Sequence, residues 1–306
     1  AHAVASMGYD VIGVCDLDQF KIKQFQKLHP NIPGAVQLSK LPVSQADIAI
    51  ISVLADKKLA VIRDVSSYGV KKMLCEKPIV NNINDLICLN KIIKKEDLFI
   101  NVNHPMLWNP DHKKIKKIIS SNDLGYVSNV EIRFKPKGFG NIGSHLLSLI
   151  FYLLDTKAKF VKSSNFNERT GLSRSNKSLD FNGMANFILE NEAQLSISNL
   201  GSYEPSIKIY HENGILDMRL KQNTYHLFDK KTSVDNEYPY EYPWGGVNGN
   251  YPETFYYLID SALTELINKS KNKKFEYAFA AIEAIIGAQI SHLSGKEVCF
   301  PLKTNV

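Results

Sequence analysis

The stretch VKKMLCEKPIV, residues 70–80, runs from a short apolar segment directly into Glu76-Lys77-Pro78. The segment KKMLC has the length and composition of a buried strand, and a proline cannot donate a hydrogen bond to a strand ladder. Because the residue before a proline is restricted to extended backbone, Lys77 is expected to stay at the end of this strand. The sequence therefore predicts an acid and a base at the carboxyl end of a strand. A surface Lys-Pro turn is the alternative.

On both sides of this stretch, short apolar runs alternate with amphipathic ones. Helices are predicted at DQFKIKQFQKLH, DKKLAVIRDVSSYG and INDLICLNKIIKK, and strands at YDVIGVCD, DIAIISV, KKMLC and DLFINV. Such alternation indicates right-handed crossovers and a parallel sheet covered on both faces. Residues 1–104 are therefore predicted to form a doubly wound, Rossmann-type α/β domain.

The pattern changes after Asn103, where β-rich runs separated by short turns follow one another. Turns this short favour hairpins, and hairpins give a largely antiparallel sheet. An apolar helix, SHLLSLIFYLLD, precedes these runs, and two further helical stretches close the chain. Residues 105–306 are therefore predicted to form an α+β domain with a large, mostly antiparallel open sheet.

Composition excludes several classes of protein. The chain has 306 residues, a net charge of +6 and no run of about 18 apolar residues, so a soluble two-domain protein without membrane contact is expected. The lysines alternate with apolar residues on helical stretches and no nucleic-acid motif is present, which argues against nucleic acid and favours a small anionic substrate. Four scattered cysteines fit a reducing cytoplasm and predict no metal site.

Asp16 stands at the end of the predicted strand VIGVCD. An acid at this place in a Rossmann domain can accept hydrogen bonds from the adenosine ribose and repel a 2′-phosphate, which favours NAD over NADP. The alternative is that Asp16 caps the following helix. The glycine-rich turn that should precede this strand is not in the sequence, and AHAVASMG is typical of the second half of the helix after such a turn. The sequence is therefore expected to start inside its first domain.

A third pattern lies in GFGNIGSHLLSLIFYLLD, where Asn141 and His145 are spaced to share one face of a helix. A histidine next to so apolar a run is often a core residue. A catalytic role is the other interpretation.

In this order, the three patterns resemble the Gfo/Idh/MocA family of nicotinamide-dependent sugar and polyol oxidoreductases. The resemblance covers nearly the whole chain and is carried by VIGVCDLD, DIAIISV, GVKKMLCEKPIV, WNPDHKKIKKIISSNDLGYVSNVEIRF, GNIGSHLLSLIFYLLD, NGILDM and SGKEVCFPL. It implies a Rossmann domain followed by a domain whose open sheet packs in oligomers, so a homodimer or homotetramer is expected.

The resemblance also implies roles for individual residues. Lys77 and His145 would be catalytic, Asn141 would bind substrate, and the cofactor would contact Asp16, Ser52, Glu76 and Lys77.

The chain departs from the family pattern at several of its positions. Asn141 and Ser148 stand where relatives often carry acids, Leu54 and Lys58 replace a proline and a histidine, and Leu107 replaces an arginine.

The function expected from the resemblance is hydride transfer between NAD, or less favourably NADP, and a hydroxyl or keto carbon of a sugar, sugar nucleotide or cyclic polyol. Two alternatives stay open. One is a noncatalytic sensor or scaffold with the same fold, and the other is an NAD-assisted sugar hydrolase or lyase.

Overall fold

A computed structural model describes residues 2–121, 123–136, 138–167, 181–201, 204–222, 224–239, 253–268 and 273–303. The chain forms two compact units. The first comprises residues 1–80, 88–103 and 253–272, and the second comprises 81–87, 104–252 and 273–306. The sequence-based boundary after residue 104 gave residues 253–268 to the second domain, whereas their contacts place them in the first unit.

The helices follow the predicted helical segments closely. They are α1 (His2–Ser6), α2 (Gln19–Leu28), α3 (Ala55–Ser67), α4 (Ile83–Glu96), α5 (Pro110–Ser120), α6 (Phe139–Leu154), α7 (Glu253–Ile267) and α8 (Lys274–Ser294). Short 3₁₀ turns lie at Leu38–Lys40, Val43–Gln45 and Pro105–Trp108. Of the predicted segment YPETFYYLIDSALTELINKS, residues 251–252 and 269–270 lie outside the described residues.

The first unit contains two parallel sheets. Strands β1 (Val14–Cys15) and β2 (Gly34–Ala35) form one, and β3 (Ile48–Ile51), β4 (Lys72–Cys75) and β5 (Phe99–Val102) form the other in that order. Each strand of the larger sheet is followed or preceded by a helix, as the alternating pattern predicts. Helix α7 packs against β4 and β5, although it lies far along the chain from both.

The second unit is built on one nine-stranded sheet in the order β13-β12-β11-β10-β6-β9-β8-β7-β14. Its strands are β6 (Val127–Arg133), β7 (Ala158–Asn167), β8 (Asn182–Leu189), β9 (Gln194–Ser198), β10 (Ser206–His211), β11 (Gly214–Arg219), β12 (Thr224–Asp229), β13 (Val234–Pro239) and β14 (Val298–Cys299). Every described pairing in it is antiparallel except that of β6 with β9. Helix α8 packs against β7 and against α6.

The predicted fold class is confirmed, with a parallel α/β unit and a large, mostly antiparallel sheet. No helix in the described part of the chain is both long and apolar enough to cross a membrane.

Candidate functional site

The parallel sheet of the first unit brings three polar residues to one edge. Register pairs Ile51 with Cys75 and Cys75 with Val102, so Ser52, Glu76 and Asn103 each directly follow neighbouring strands. The carboxyl ends of parallel strands are where ligands bind in open α/β sheets. The predicted cofactor residues Ser52, Glu76 and Lys77 therefore lie together at the edge where such a ligand would bind.

Hydrogen bonds between neighbouring strand ends hold Glu76 in place. Its main-chain N–H donates to Ile51 O at 2.8 Å, and its carboxylate accepts from Asn103 Nδ2 at 2.6 Å. The N–H of Asn103 donates to Cys75 O at 2.7 Å. Because these bonds join residues at, or directly after, the ends of neighbouring strands in one sheet, the main chain is fixed immediately before Lys77.

The turn Glu76-Lys77-Pro78 accepts hydrogen bonds from Lys58 of α3. Its ammonium donates to the main-chain oxygens of Glu76 and of Pro78, the latter at 2.6 Å, and its side chain is 1% exposed. The Lys77–Pro78 peptide bond is cis. A buried lysine thus contacts the main chain immediately before and after Lys77.

Burial dominates the electrostatics of this turn. It lowers the pKa of Lys58 to about 8, against the opposing effects of Cys75 and Glu76 and with a further lowering by Lys77. Burial also raises the pKa of the Cys75 thiol to about 12, partly offset by the Lys58 charge. At neutral pH the pair is therefore an ammonium beside a neutral thiol.

Asp16 follows β1, which belongs to the two-stranded sheet of the first unit. It does not cap α2, because the capping side chain is Asp18, which accepts from the N–H of Phe20. One Asp16 oxygen accepts from the N–H of Asp18 at 2.9 Å, and the other lies 3.8 Å from Lys21 Nζ. The carboxylate is partly exposed. Among the described residues β1 pairs with β2, whereas β3, β4 and β5 form the other sheet, so Asp16 follows a strand of a different sheet from those before Ser52 and Glu76.

The second unit carries the other two predicted site residues on α6. The helix begins at Phe139, after Gly138, whose φ of +89° few other residues adopt. Asn141 is exposed in the first turn, and His145, one turn later, is buried. The expected placement of both residues on one helix is thus observed.

His145 contacts a second histidine that the sequence analysis did not identify. Its Nδ1 lies 2.9 Å from Nδ1 of His104, and the two rings pack edge to face with centroids 4.6 Å apart. In such a bond one nitrogen donates and the other accepts, so the proton on His104 decides which nitrogen of His145 carries its own. His104 can therefore set the tautomer of the predicted base.

Two departures from the family pattern are resolved in this unit. Ser148 is buried and donates to the main-chain oxygen of His145 at 2.8 Å, so its hydroxyl serves its own helix. Leu107 is fully buried in the 3₁₀ turn Pro105–Trp108, where it belongs to the core. Neither side chain is placed to bind a polar substrate.

Sequence reasoning missed Lys58 and His104 as site residues, for different reasons. Lys58 shares the buried stripe of α3 with Ile62 and Val65, a helical spacing that could have marked it as buried. No spacing connects His104 with His145, because they lie 41 residues apart and meet only through the fold.

Comparison with known proteins gives few sequence relatives. No family model matches the chain. It is 24% identical to the putative oxidoreductase YteT of Bacillus subtilis over 135 residues, which are 42% of this chain and 31% of that protein. The match thus spans about a third of that relative.

Solved structures match almost the whole chain. An oxidoreductase from Agrobacterium radiobacter, in complex with NAD⁺, L-tartaric acid and magnesium, has a TM-score of 0.77 at 15% identity over 97% of this chain and 93% of its own. A putative NADPH-dependent oxidoreductase from Desulfitobacterium hafniense has a TM-score of 0.77 at 14% identity, covering 97% and 94%. A super-repressor mutant of Gal80p from Saccharomyces cerevisiae has a TM-score of 0.76 at 13% identity, covering 97% and 92%. The chain therefore has the fold of Gfo/Idh/MocA-type oxidoreductases, and the resemblance seen in its sequence is confirmed at the level of the fold.

Proposed function

We propose that the protein is a nicotinamide-dependent oxidoreductase that acts on a hydroxyl or keto carbon of a sugar, sugar nucleotide or cyclic polyol. The observation that carries this proposal is the fixed Glu76-Lys77-Pro78 turn at the carboxyl edge of a parallel sheet, in a chain with the fold of these oxidoreductases. The turn offers a lysine beside a ligand-binding edge, where a cation can stabilise a developing negative oxygen.

The residues of the first unit fit parts of a dinucleotide. Asp16 keeps a partly exposed carboxylate that can accept from ribose hydroxyls, and Ser52, Glu76 and Lys77 lie at the edge where a nicotinamide ribose would bind. When bound, the nicotinamide group accepts or supplies a hydride. The sequence before β1 contains no glycine-rich phosphate turn, so the fit concerns the ribose contacts only.

In this proposal His145 of the second unit is the base that removes the proton of the substrate hydroxyl during oxidation, and Lys77 of the first unit supplies a positive charge that stabilises the substrate. General-base assistance of this kind contributes roughly 10²–10⁴-fold to a rate. His104 holds His145 in one tautomer, and Asn141 binds a neighbouring hydroxyl. An amide can make that hydrogen bond but cannot take the proton, so Asn141 is a binding residue and not the base.

The test starts with cofactor and then adds substrate. Calorimetric titration with NAD⁺ and NADP⁺ measures binding, and formation of NADH across a panel of sugars, sugar nucleotides and cyclic polyols measures turnover. Wild type is expected to reduce NAD⁺ with at least one panel member, and Lys77→Met to do so with a lower kcat. Lys27→Met, an exposed lysine on α2, serves as the matched control.

Other results would replace the proposal by one of its alternatives. Consumption of a sugar conjugate that needs bound NAD⁺ but yields no net NADH supports an NAD-assisted hydrolase or lyase. Binding of cofactor or sugar with no chemistry across the panel supports a sensor.

The sensor has one specific observation in its favour. Leu107, where relatives often carry a substrate-binding arginine, is apolar and fully buried, so it cannot hold a charged substrate group. The super-repressor mutant of Gal80p has the same fold.

A further inference from the structure

Lys58 is the most deeply buried charged residue among those described in the first unit that lack a predicted role. It occupies α3 on the same face as Ile62 and Val65, and it is as buried as they are. An ammonium loses its water when it is buried, and this cost is offset only if hydrogen-bond acceptors replace the water. The groups that replace it therefore indicate what the lysine is for.

Those groups are two main-chain carbonyls, and they flank Lys77. Lys58 Nζ donates to the oxygen of Glu76 and, at 2.6 Å, to the oxygen of Pro78. Pro78 has no N–H, so this turn cannot be closed by a main-chain bond from that residue. The Lys58 ammonium connects the two sides of the turn instead.

We infer that Lys58 is a positioning residue, whose ammonium holds the main chain on both sides of Lys77 and so sets where the Lys77 side chain begins. The catalytic consequence rests on the proposed function, whereas the structural consequence rests on these contacts alone. Lys58 itself is placed against main chain and not at the open edge, so it acts through Lys77.

The charges around Lys58 favour this arrangement at neutral pH. Burial lowers its pKa to about 8, Cys75 and Glu76 oppose the lowering, and Lys77 adds to it. The ammonium form therefore predominates below about pH 8. Hydrogen bonds from a charged donor are roughly twice as strong as neutral ones, so the two carbonyls are held most firmly in that form.

The first experiment reads the turn without any substrate or cofactor. Hydrogen exchange is followed by mass spectrometry in wild type, Lys58→Met and Lys57→Met. Lys57, the adjacent residue, is exposed and near Asp56 and provides the same change of charge on the same helix. The reporting amides are those of Glu76, which donates to Ile51 O, and Asn103, which donates to Cys75 O.

Lys58→Met is expected to speed exchange at these amides by about tenfold or more, since charge-assisted hydrogen bonds are lost. Exchange in Lys57→Met and in helix α2 should match wild type. Equal protection of the turn in Lys58→Met and Lys57→Met would overturn the inference. Lys58→Gln is measured in parallel, because its amide keeps one donor. It should show intermediate exchange, and it replaces Lys58→Met if that variant does not fold.

The second experiment uses the panel substrate that gives NADH. Lys58→Met should lower kcat in the wild-type background and have no further effect in the Lys77→Met background, because residues that act through one another are not additive. Equal losses in both backgrounds would show that Lys58 does not act through Lys77. A loosened turn with no turnover of any substrate would leave the positioning role standing and refute the dehydrogenase. Turnover of a substrate together with unchanged hydrogen exchange of the turn in Lys58→Met would support the dehydrogenase and refute the positioning role.

Discussion

At the scale of the residue, the predicted preference for NAD over NADP depends on the carboxylate of Asp16. It lies after β1, partly exposed, with Asp18 N–H on one oxygen and Lys21 near the other. With NADP it would lose a ribose hydroxyl and meet a phosphate, a mismatch worth about 1–3 kcal/mol. We therefore expect wild type to prefer NAD and Asp16→Ala to relax the preference, as measured by calorimetry with both cofactors.

Asp18→Ala provides the contrast for this variant. Asp18 caps α2 through Phe20 N–H, so its loss should destabilise the helix by about 0.5–2 kcal/mol without changing cofactor preference. A wild type that prefers NADP would contradict the role of Asp16.

Lys77 and His145 can be separated by their effects on the pH profile. If His145 is the base, kcat/KM rises with pH as the imidazole loses its proton, and His145→Asn removes this limb together with roughly 10²–10⁴-fold of rate. Lys77→Met should lower kcat and keep the limb, because its role is electrostatic. Steady-state kinetics across neutral pH with the panel substrate measures both.

His104→Phe extends the same experiment to the histidine pair. It removes the Nδ1 partner of His145 and keeps a ring in its place, so the limb should shift rather than disappear. Loss of the limb in Lys77→Met alone would instead make Lys77 the base. His145 would then be a binding or core residue.

At the scale of the element, one carboxylate lies at the end of α6 and makes several contacts there. Asp155 has φ +48°, accepts from Tyr277 Oη, and lies 3.3 Å from Lys273 Nζ. The Tyr277 hydrogen bond, with help from Lys116 and Lys273, lowers the pKa of Asp155. A lowered folded-state pKa stabilises the protein above the ordinary carboxyl range near ~3.9, and the stabilisation is lost as pH falls through the folded pKa.

Asp155→Asn keeps a residue that tolerates this backbone and removes only the charge. Its thermal unfolding should show about 1 kcal/mol less stability than wild type at neutral pH, and the difference should vanish in acid below the folded pKa. Asp123→Asn, an exposed carboxylate, should behave as wild type throughout. A constant difference at all pH values would show that packing, not charge, holds this end of α6.

Elements were predicted well where burial leaves a periodic pattern. Strands β3, β4 and β5 are short apolar runs, α2 to α5 have amphipathic spacing, and α6 is a long apolar run. Strand β13 was missed because all of its residues are exposed at the sheet edge, so it has no alternation to read. Strand β7 was missed because Lys and Ser interrupt its apolar residues.

The residues of the candidate site were likewise predictable only where a sequence pattern reports their position. The residues after β3 and β4 could be predicted, because parallel strands share one carboxyl edge. His104 could not, because its contact with His145 depends on how the 3₁₀ turn Pro105–Trp108 packs on α6.

At the scale of the whole molecule, the homodimer or homotetramer stays a prediction, in which a second copy would pack on the open face of the nine-stranded sheet. Along β9, Leu195 and Ile197 are buried while Ser196 points to the other side, where it lines a cavity of about 200 Å³ with Asn129 and Asn186. Ser196→Arg should therefore shift the expected homodimer or homotetramer toward monomer in light scattering. Ser121→Arg, exposed at the end of α5, should not. A wild-type monomer at all concentrations would refute the oligomer.

The position of α7 in the first unit sets the order in which the protein can finish folding during synthesis. Asn101 donates to Ala262 O, Lys72 to Ile267 O, and Tyr9 to Asp260, so the parallel sheet needs a helix that the ribosome makes some 150 residues later. Folding domain by domain from the amino end cannot complete this unit first. A nascent chain stopped at residue 104 should be digested rapidly by protease. In a longer nascent chain, residues 1–104 should become resistant once residues 253–268 have left the ribosome tunnel.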